Sequence, residues 1–479
     1  MGIEASQLFA GLLIAGSFVA IRILLRWRTG IVILFIWLYL EDVVRRLIPG
    51  QPPEVKLVTD GLVFFIYLSL LLAFAVTRAP YVWRPPFVVG LSLLGAMVLV
   101  GSLNPHSPGL VFSIFGFRSY LWYVPLAFAG YWMFRDGQDV IRFCRLLAFT
   151  SIPLGCLALV QSVFFDIDHP LIRPLEGGVL WHSFSLVEGA GIPFITSVFG
   201  SAGRYARVSL LLFLLGLALW HGDRGRTRRG RIVILGALIA AALGVVVSGS
   251  RAAIYLLPVG FVWWNVAVRG SMVGWLRSCL RGRLVEAGAA FLVALGTVLT
   301  IFPDLRVWIT YSIPHIYERL FIWMPDDVLS AWRWVPPLGF GTGTFSQGIQ
   351  YLPGGEEWME LHREATWRSV GDLGQTGFME AGISKLLYEF GPAGVVIFAV
   401  FMVQVILTCR RQVRVQSEPL LRGIAAAVYV FLGLVTVWFL FVHHQVFGDA
   451  TTLVPLWFFI GVACRLRTLS PGGLTGKVA

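Results

Sequence analysis

Charge is what this sequence has least of. Asp, Glu, Lys and Arg make up only 13% of its 479 residues, whereas 57% are hydrophobic. A soluble chain carries about a quarter charged residues, so a water-exposed surface cannot be drawn from this composition and a soluble fold is excluded. Cysteine is sparse too. Cys144, Cys156, Cys279, Cys409 and Cys464 show no metal-ligand spacing and none falls in an outer loop, so neither disulfides nor zinc are expected. The histidines form no ligand pair; His443 and His444 are adjacent, which points their rings apart on a helix. Short alternating segments are missing, which argues against a transmembrane barrel. No short-period repeat is visible. No basic stretch precedes the first apolar run, so a cleaved signal peptide is not expected. The opening Met1-Gly2-Ile3-Glu4-Ala5-Ser6 fits a myristoylation pattern only formally. A formal net charge of +12 sits on no recognisable basic module, which sets nucleic acid aside.

What is present is a succession of apolar runs long enough to cross a bilayer. They fall near Leu8–Leu25, Ile31–Leu47, Leu57–Val76, Phe87–Leu103, Leu121–Phe134, Leu146–Phe164, Val208–Trp220, Ile232–Val247, Ala252–Val268, Leu284–Phe302, Pro392–Thr408, Ile424–Val442 and Leu453–Cys464. This predicts an all-α polytopic membrane protein with about 12–13 transmembrane helices. Glu41, Asp42, Arg45 and Arg46 interrupt the second run, which is expected to be partly interfacial. Pro153 and Pro258 are the candidate helix breaks. Three regions follow: a bundle over residues 1–302, one large loop with short helices over 303–382, and C-terminal helices with a tail over 383–479.

Arginines set the orientation. Arg224, Arg226, Arg228, Arg229 and Arg231 crowd one loop; Arg269, Arg277, Arg281 and Arg283 a second; Arg410, Arg411, Arg414 and Arg422 a third. These loops are two spans apart and so share a side, the cytoplasm by the positive-inside rule. The 303–382 loop, Asn104–Tyr120 and Asp166–Arg207 then lie outside. Outer arginines, among them Arg118, Arg204, Arg207, Arg251 and Arg319, are not explained by topology.

Three places can carry chemistry. Ser248-Gly249-Ser250-Arg251 opens a span on the outer side; its arginine is either snorkelling or helix-end paired, or part of an anion site. Arg319 follows Glu318, and neighbours on a helix do not face each other, so it is a surface residue or free for another partner. Glu380 precedes an apolar helix, either complementing the helix dipole or, desolvated, serving as a general base, with Asp372 as its substitute. The run Leu338-Gly339-Phe340-Gly341-Thr342-Gly343 lacks the lysine of a nucleotide loop and reads as a tight turn. Outer aromatics such as Trp332, Trp334 and Trp358 could stack on sugars or form an interfacial belt.

In this order the motifs resemble the O-antigen ligase and O-antigen polymerase superfamily, which includes exopolysaccharide polymerases. The resemblance rests on Ser250-Arg251, Arg319 to Trp323, Pro337-Leu338-Gly339-Phe340-Gly341 and Glu389-Phe390-Gly391-Pro392-Ala393-Gly394, with Glu41 to Pro49 and Gly116 to Tyr120 agreeing earlier in the chain. It departs where the ligases carry a histidine: Glu380 stands there, which leans toward a polymerase. The resemblance implies a GT-C-like glycosyltransferase of a bacterial inner membrane, its large loop periplasmic. The reaction implied is metal-independent and inverting and needs no cofactor. Its donor is a polyprenyl-diphosphate-linked oligosaccharide, its acceptor a glycan or lipid, and other polysaccharide-assembly proteins are possible partners. Arg251 and Arg319 would neutralise the departing diphosphate and Glu380 would take the acceptor's proton. Arg118, Arg204 and Arg207 are expected to contact lipid phosphate or glycan. A ligase acting on lipid A core or protein is the near alternative, and a transporter or flippase the alternative from another class.

Overall fold

The computed structural model describes residues 17–48, 54–77, 83–165, 184–187, 190–193, 195–222, 227–273, 324–345, 381–442 and 444–469, with single residues or pairs at 169, 296, 300, 317, 321–322 and 357. Nine of the helices among them are long and apolar enough to cross a membrane. The chain is an α-helical, multi-pass membrane protein.

Helical residues 17–25 lead into α1 (Trp27–Leu47), followed by α2 (Val55–Thr77) and α3 (Val88–Ser102). The next crossing is broken. It consists of α4 (Leu110–Phe117), a π-helical turn over Arg118–Trp122 and α5 (Leu126–Met133). Pro125, which has no N–H to donate, sits where the helix resumes. Then come α6 (Gly137–Phe164), a hairpin of β1 (Phe184–Val187) and β2 (Ala190–Pro193), α7 (Ala202–Gly222), α8 (Arg228–Val247) and α9 (Arg251–Arg269). A short α10 (Met324–Trp334) lies in the large loop. The chain closes with α11 (Gly382–Val415), α12 (Pro419–Phe441), a 3₁₀ turn over His444–Gly448 and α13 (Ala450–Leu469).

Side chains cap several helix starts among the described residues. Asp136 accepts from the Asp139 N–H before α6, and Thr227 from the Gly230 N–H before α8. Pro153 and Pro258, expected as breaks, sit inside continuous helices. The breaks are the π turn and Gly391 of α11, whose φ of 67° and ψ of −168° are not helical.

Helix α7 is the centre of the bundle, buried over 94% of its apolar stretch, with α12 and α13 at 78%. Helices α2 and α9, at 33% and 28%, form the perimeter, where Leu71, Val76 and Val259 are exposed as lipid-facing residues. Lipid tails offer no hydrophobic drive to pack helix on helix, so close backbone approach takes over. Gly130 of α5 lies against the Phe458 carbonyl of α13, and Gly461 of α13 against the Ala127 carbonyl of α5. Any side chain at either position would hold the helices apart.

Contacts between distant segments sort the helix ends. Arg28 donates to Trp132 O at 3.3 Å, Gln416 to Leu466 O at 3.1 Å, and Gly222 lies on Leu420. These gather the start of α1 and α12 and the ends of α5, α7, α11 and α13. They are the ends flanked by the basic loops, as the arginine pattern requires. The opposite end collects the close of α1 and the starts of α2, α7 and α13.

Candidate functional site

The last two turns of α1 read Glu41-Asp42-Val43-Val44-Arg45-Arg46. Residues four apart share a helix face, so 41 with 45 and 42 with 46 project together. All four are buried inside the bundle. Buried charge in a membrane protein is costly unless paired, and hydrogen-bond partners come from α2, the 196–200 stretch and α7.

Asp42 is the first hub. Arg204 Nη1 donates to its Oδ1 and Oδ2 at 3.0 and 2.8 Å, and the Gly200 N–H to Oδ2 at 2.6 Å. Asp449, just ahead of α13, is the second. Its Oδ1 is 3.1 Å from Arg204 Nε, and its Oδ2 is 2.6 Å from both Arg207 Nη2 and the Thr451 hydroxyl. Arg207 Nε also donates to Thr452 Oγ1 at 2.7 Å, and its guanidinium lies 5.6 Å from the centre of the Trp438 ring. Burial alone would push the Asp449 carboxyl up; the Arg204 and Arg207 guanidiniums hold it well below the usual carboxylate range.

A second branch lies across α2 and the π turn. Arg118 Nε is 2.7 Å from Asp60 Oδ2, the Tyr123 hydroxyl donates to Asp60 Oδ1 at 2.6 Å, and Arg118 Nη1 reaches Gly448 O at 3.4 Å. Thr59 donates to Glu41 and accepts from Trp37 Nε1 at 3.0 Å. Arg46 Nη2 donates to Thr196 Oγ1 at 3.0 Å and Phe199 O at 2.8 Å. The stretch carrying those acceptors is itself pinned: Gln161 makes two 2.8 Å bonds to the backbone of Ser197, a non-glycine residue held at φ 52°. A small apolar cleft with about 20 Å³ of space is lined by Leu38, Tyr39, Phe199, Val208, Leu211 and Thr451, among others.

Arg118, Arg204 and Arg207 are therefore not residues of open outer loops. Arg118 lies in the broken helix, Arg204 and Arg207 in the first turns of α7, and each is engaged by a carboxylate of the chain itself. Arg251 opens α9, half-buried, with Tyr255 as an electrostatic neighbour one turn on. Arg319, Asp372 and Glu380 lie outside the described residues.

The glycine-rich run forms the second feature. Pro392 cannot donate to the Tyr388 carbonyl four residues back, and the backbone leaves the helix at Gly391. Carbonyls freed at such a break need other donors. Phe340 N–H supplies Tyr388 O at 2.7 Å and Gly341 N–H supplies Glu389 O at 3.1 Å. A side chain at Gly391 would collide with the Pro337 carbonyl. The same turn closes α3: Thr342 donates from N to Gly101 O at 3.1 Å and from Oγ1 to Val98 O at 2.7 Å. Asn104 Nδ2 reaches Gly339 O at 2.9 Å. The Glu389 carboxylate accepts from Phe345 N at 3.0 Å and lies 3.8 Å from Lys385 Nζ, whose ammonium is 5.2 Å from the centre of the Tyr120 ring.

Reasoning from sequence singled out arginines; it noted Asp42 only as part of a charged interruption and passed over Asp60 and Asp449, the other carboxylates that hold them. It also passed over Lys56, Lys385 and the separate part played by Arg46. The signal was there for α1, since acidic and basic pairs four apart in an apolar helix mark an inward charged face. Asp60 and Asp449 are single acids with no such pattern. Comparison with protein-family models gives no match, and comparison with curated proteins gives none either.

Proposed function

We propose that this chain is a membrane glycosyltransferase that polymerises polyprenyl-diphosphate-linked oligosaccharide on the face opposite its basic loops, the periplasmic face of a bacterial inner membrane. One observation carries the reading. The Pro337-Leu338-Gly339-Phe340-Gly341 turn and the Glu389-Phe390-Gly391-Pro392 helix break, both drawn into the resemblance, are hydrogen-bond partners. The pairing ties the large loop to the start of α11, two residues beyond Glu380.

In this reading the anomeric C–O bond of the donor breaks and its electron pair stays on the diphosphate. Arg251 and Arg319 neutralise that charge as it develops. The acceptor hydroxyl attacks from the opposite side of the sugar, inverting the centre, and its proton passes to Glu380 or, failing that, to Asp372. Arg118, Arg204 and Arg207 brace the outer ends of the helices through their ion pairs. The GT-C-like architecture and the preference for a polymerase over a ligase belong to this same proposal. Glycan analysis of a deletion strain tests it. Accumulated single repeat units with no long chains support it; long chains left unattached to their acceptor point to a ligase.

A transport reading has one observation in its favour. Two crossings are broken, at the π turn and at Gly391, and Tyr120 of one packs on Phe390 of the other with ring centroids 5.3 Å apart. Broken helices are a device of carriers. The side on which lipid-linked glycan accumulates decides: outside for a lost enzyme, inside for a lost flippase.

A further inference from the structure

At the basic end of the bundle, one aromatic residue gathers arginines from separate helices. Arg28 of α1 donates from Nη2 to the carbonyl of Trp132, at the close of α5, at 3.3 Å. The Arg465 guanidinium of α13 lies 5.0 Å from the centre of the Trp132 ring. It is also 5.0 Å from the Tyr131 ring, which stacks on Trp83 with centroids 4.5 Å apart. Arg135, three residues past Trp132, is an electrostatic neighbour of Arg28. Three guanidiniums from three segments thus share one corner. None makes an ion pair among the described residues, and beyond the bond from Arg28 to Trp132 none donates a side-chain hydrogen bond there. The acids of the adjoining loop are engaged: Asp139, which also acts on Arg28, takes Arg142 Nη1 at 3.4 Å, and Asp136 caps α6.

The corner is open. Arg28 and Arg135 are exposed; Arg465 is half-buried, with only its Nε enclosed. A guanidinium held against aromatic rings keeps its N–H edge for an anion. Beside it run the last turns of α2, where Phe74 packs edge-on against Trp132 with centroids 5.9 Å apart and Leu71 and Val76 are exposed. Arginine above exposed apolar residues, level with Trp and Tyr, is a surface matched to the headgroup region of a leaflet. We infer that Arg28, Arg135 and Arg465 form a seat for the phosphate of an acidic phospholipid at the basic end, its acyl chains lying along α2. A phosphate accepts from several guanidiniums at once. Inorganic phosphate shares that chemistry but makes no use of the apolar flank, so the two are separable by measurement. The inference does not rest on the glycosyltransferase reading.

The test is native mass spectrometry of the purified full chain in detergent. The protein is titrated with phosphatidylglycerol, with phosphatidylcholine of the same acyl chains, or with phosphatidylglycerol in the presence of inorganic phosphate. Wild-type protein is expected to retain one phosphatidylglycerol at least about tenfold more tightly than phosphatidylcholine, and an equal concentration of inorganic phosphate should not displace it. Arg465→Gln should weaken phosphatidylglycerol binding at least about tenfold, the worth of about one hydrogen bond to a charged group, and leave phosphatidylcholine binding unchanged. Arg229→Gln, at an exposed arginine elsewhere on the basic end, should alter neither. Equal affinity for the two lipids, displacement by phosphate, unchanged binding by Arg465→Gln, or an equal loss in Arg229→Gln overturns the inference. Should Arg465→Gln fail to fold, Arg28→Gln decides: a weaker phosphatidylglycerol affinity supports the seat and an unchanged one overturns it.

Discussion

Asp449 carries two guanidiniums; its loss takes the carboxylate from Arg207 and leaves Arg204 with Asp42. Removing one partner of a buried ion pair typically destabilises by about 3–5 kcal/mol. Asp449→Asn, which keeps size and removes charge, is expected to fall in or above that range, read as a lower unfolding midpoint in detergent. The carboxyl is held below its usual range in the fold. Its contribution is therefore complete above the unfolded value of about 4 and is lost only as pH falls through the lower folded value. The midpoint gap between wild type and Asp449→Asn should stay constant from neutral pH to about pH 5 and narrow in stronger acid; a gap that opened on acidification would reverse the sign argued here. For the proposed chemistry, Glu380→Gln should abolish chain extension with the folded protein still recovered. Arg319→Lys should nearly do so, because lysine cannot reproduce a planar two-point contact with diphosphate. Full extension by either variant in a glycan ladder removes that residue from the mechanism.

Helix α11 is the element on which the large loop hangs, and Gly391 is its hinge point. Its φ of 67° lies in the left-handed region, and the Pro337 carbonyl occupies the space a Cβ would take. Backbone with positive φ and ψ near 180° is essentially confined to glycine and costs an alanine about 1–3 kcal/mol before any collision. Gly391→Ala should therefore lower the unfolding midpoint and, by displacing the turn, reduce chain extension more than Ala393→Gly, two residues on. A Gly391→Ala variant with unaltered midpoint would mean the turn and the break are not mechanically joined. The α5–α13 crossing offers a parallel case. Gly461→Leu should cost more than Gly236→Leu, a helical site with nothing near its Cβ position; equal recovery of the two proteins would count against the crossing.

The whole molecule is a bundle with two chemically different ends. One end is ringed by exposed arginines; the other buries arginines among carboxylates and carries the docked turn. Single cysteines at residues 229 and 338, in a background without reactive thiols, should be labelled by an impermeant reagent from opposite sides of the membrane. Labelling of both from one side would break the topology. Dissipating divalent cations with a chelator should leave the proposed chain extension unchanged, and a requirement for such an ion would place the chemistry in another class.

Composition and the spacing of apolar runs were enough to establish an α-helical membrane protein, because each span is a local property of about twenty consecutive residues. The alternation of arginine-rich loops was likewise enough to sort the helix ends. Helix bounds were less readable: the crossing near Leu121–Phe134 begins at Leu110, and the one near Val208 begins at Ala202, so Arg118, Arg204 and Arg207 moved from loops into helices. What only the tertiary structure decided is which charge meets which. Arg204 finds Asp42 and Asp449, and Phe340 finds Tyr388, across stretches of chain that no local pattern connects. The reason is physical: a buried charge must be satisfied by whatever the packing of distant helices brings beside it.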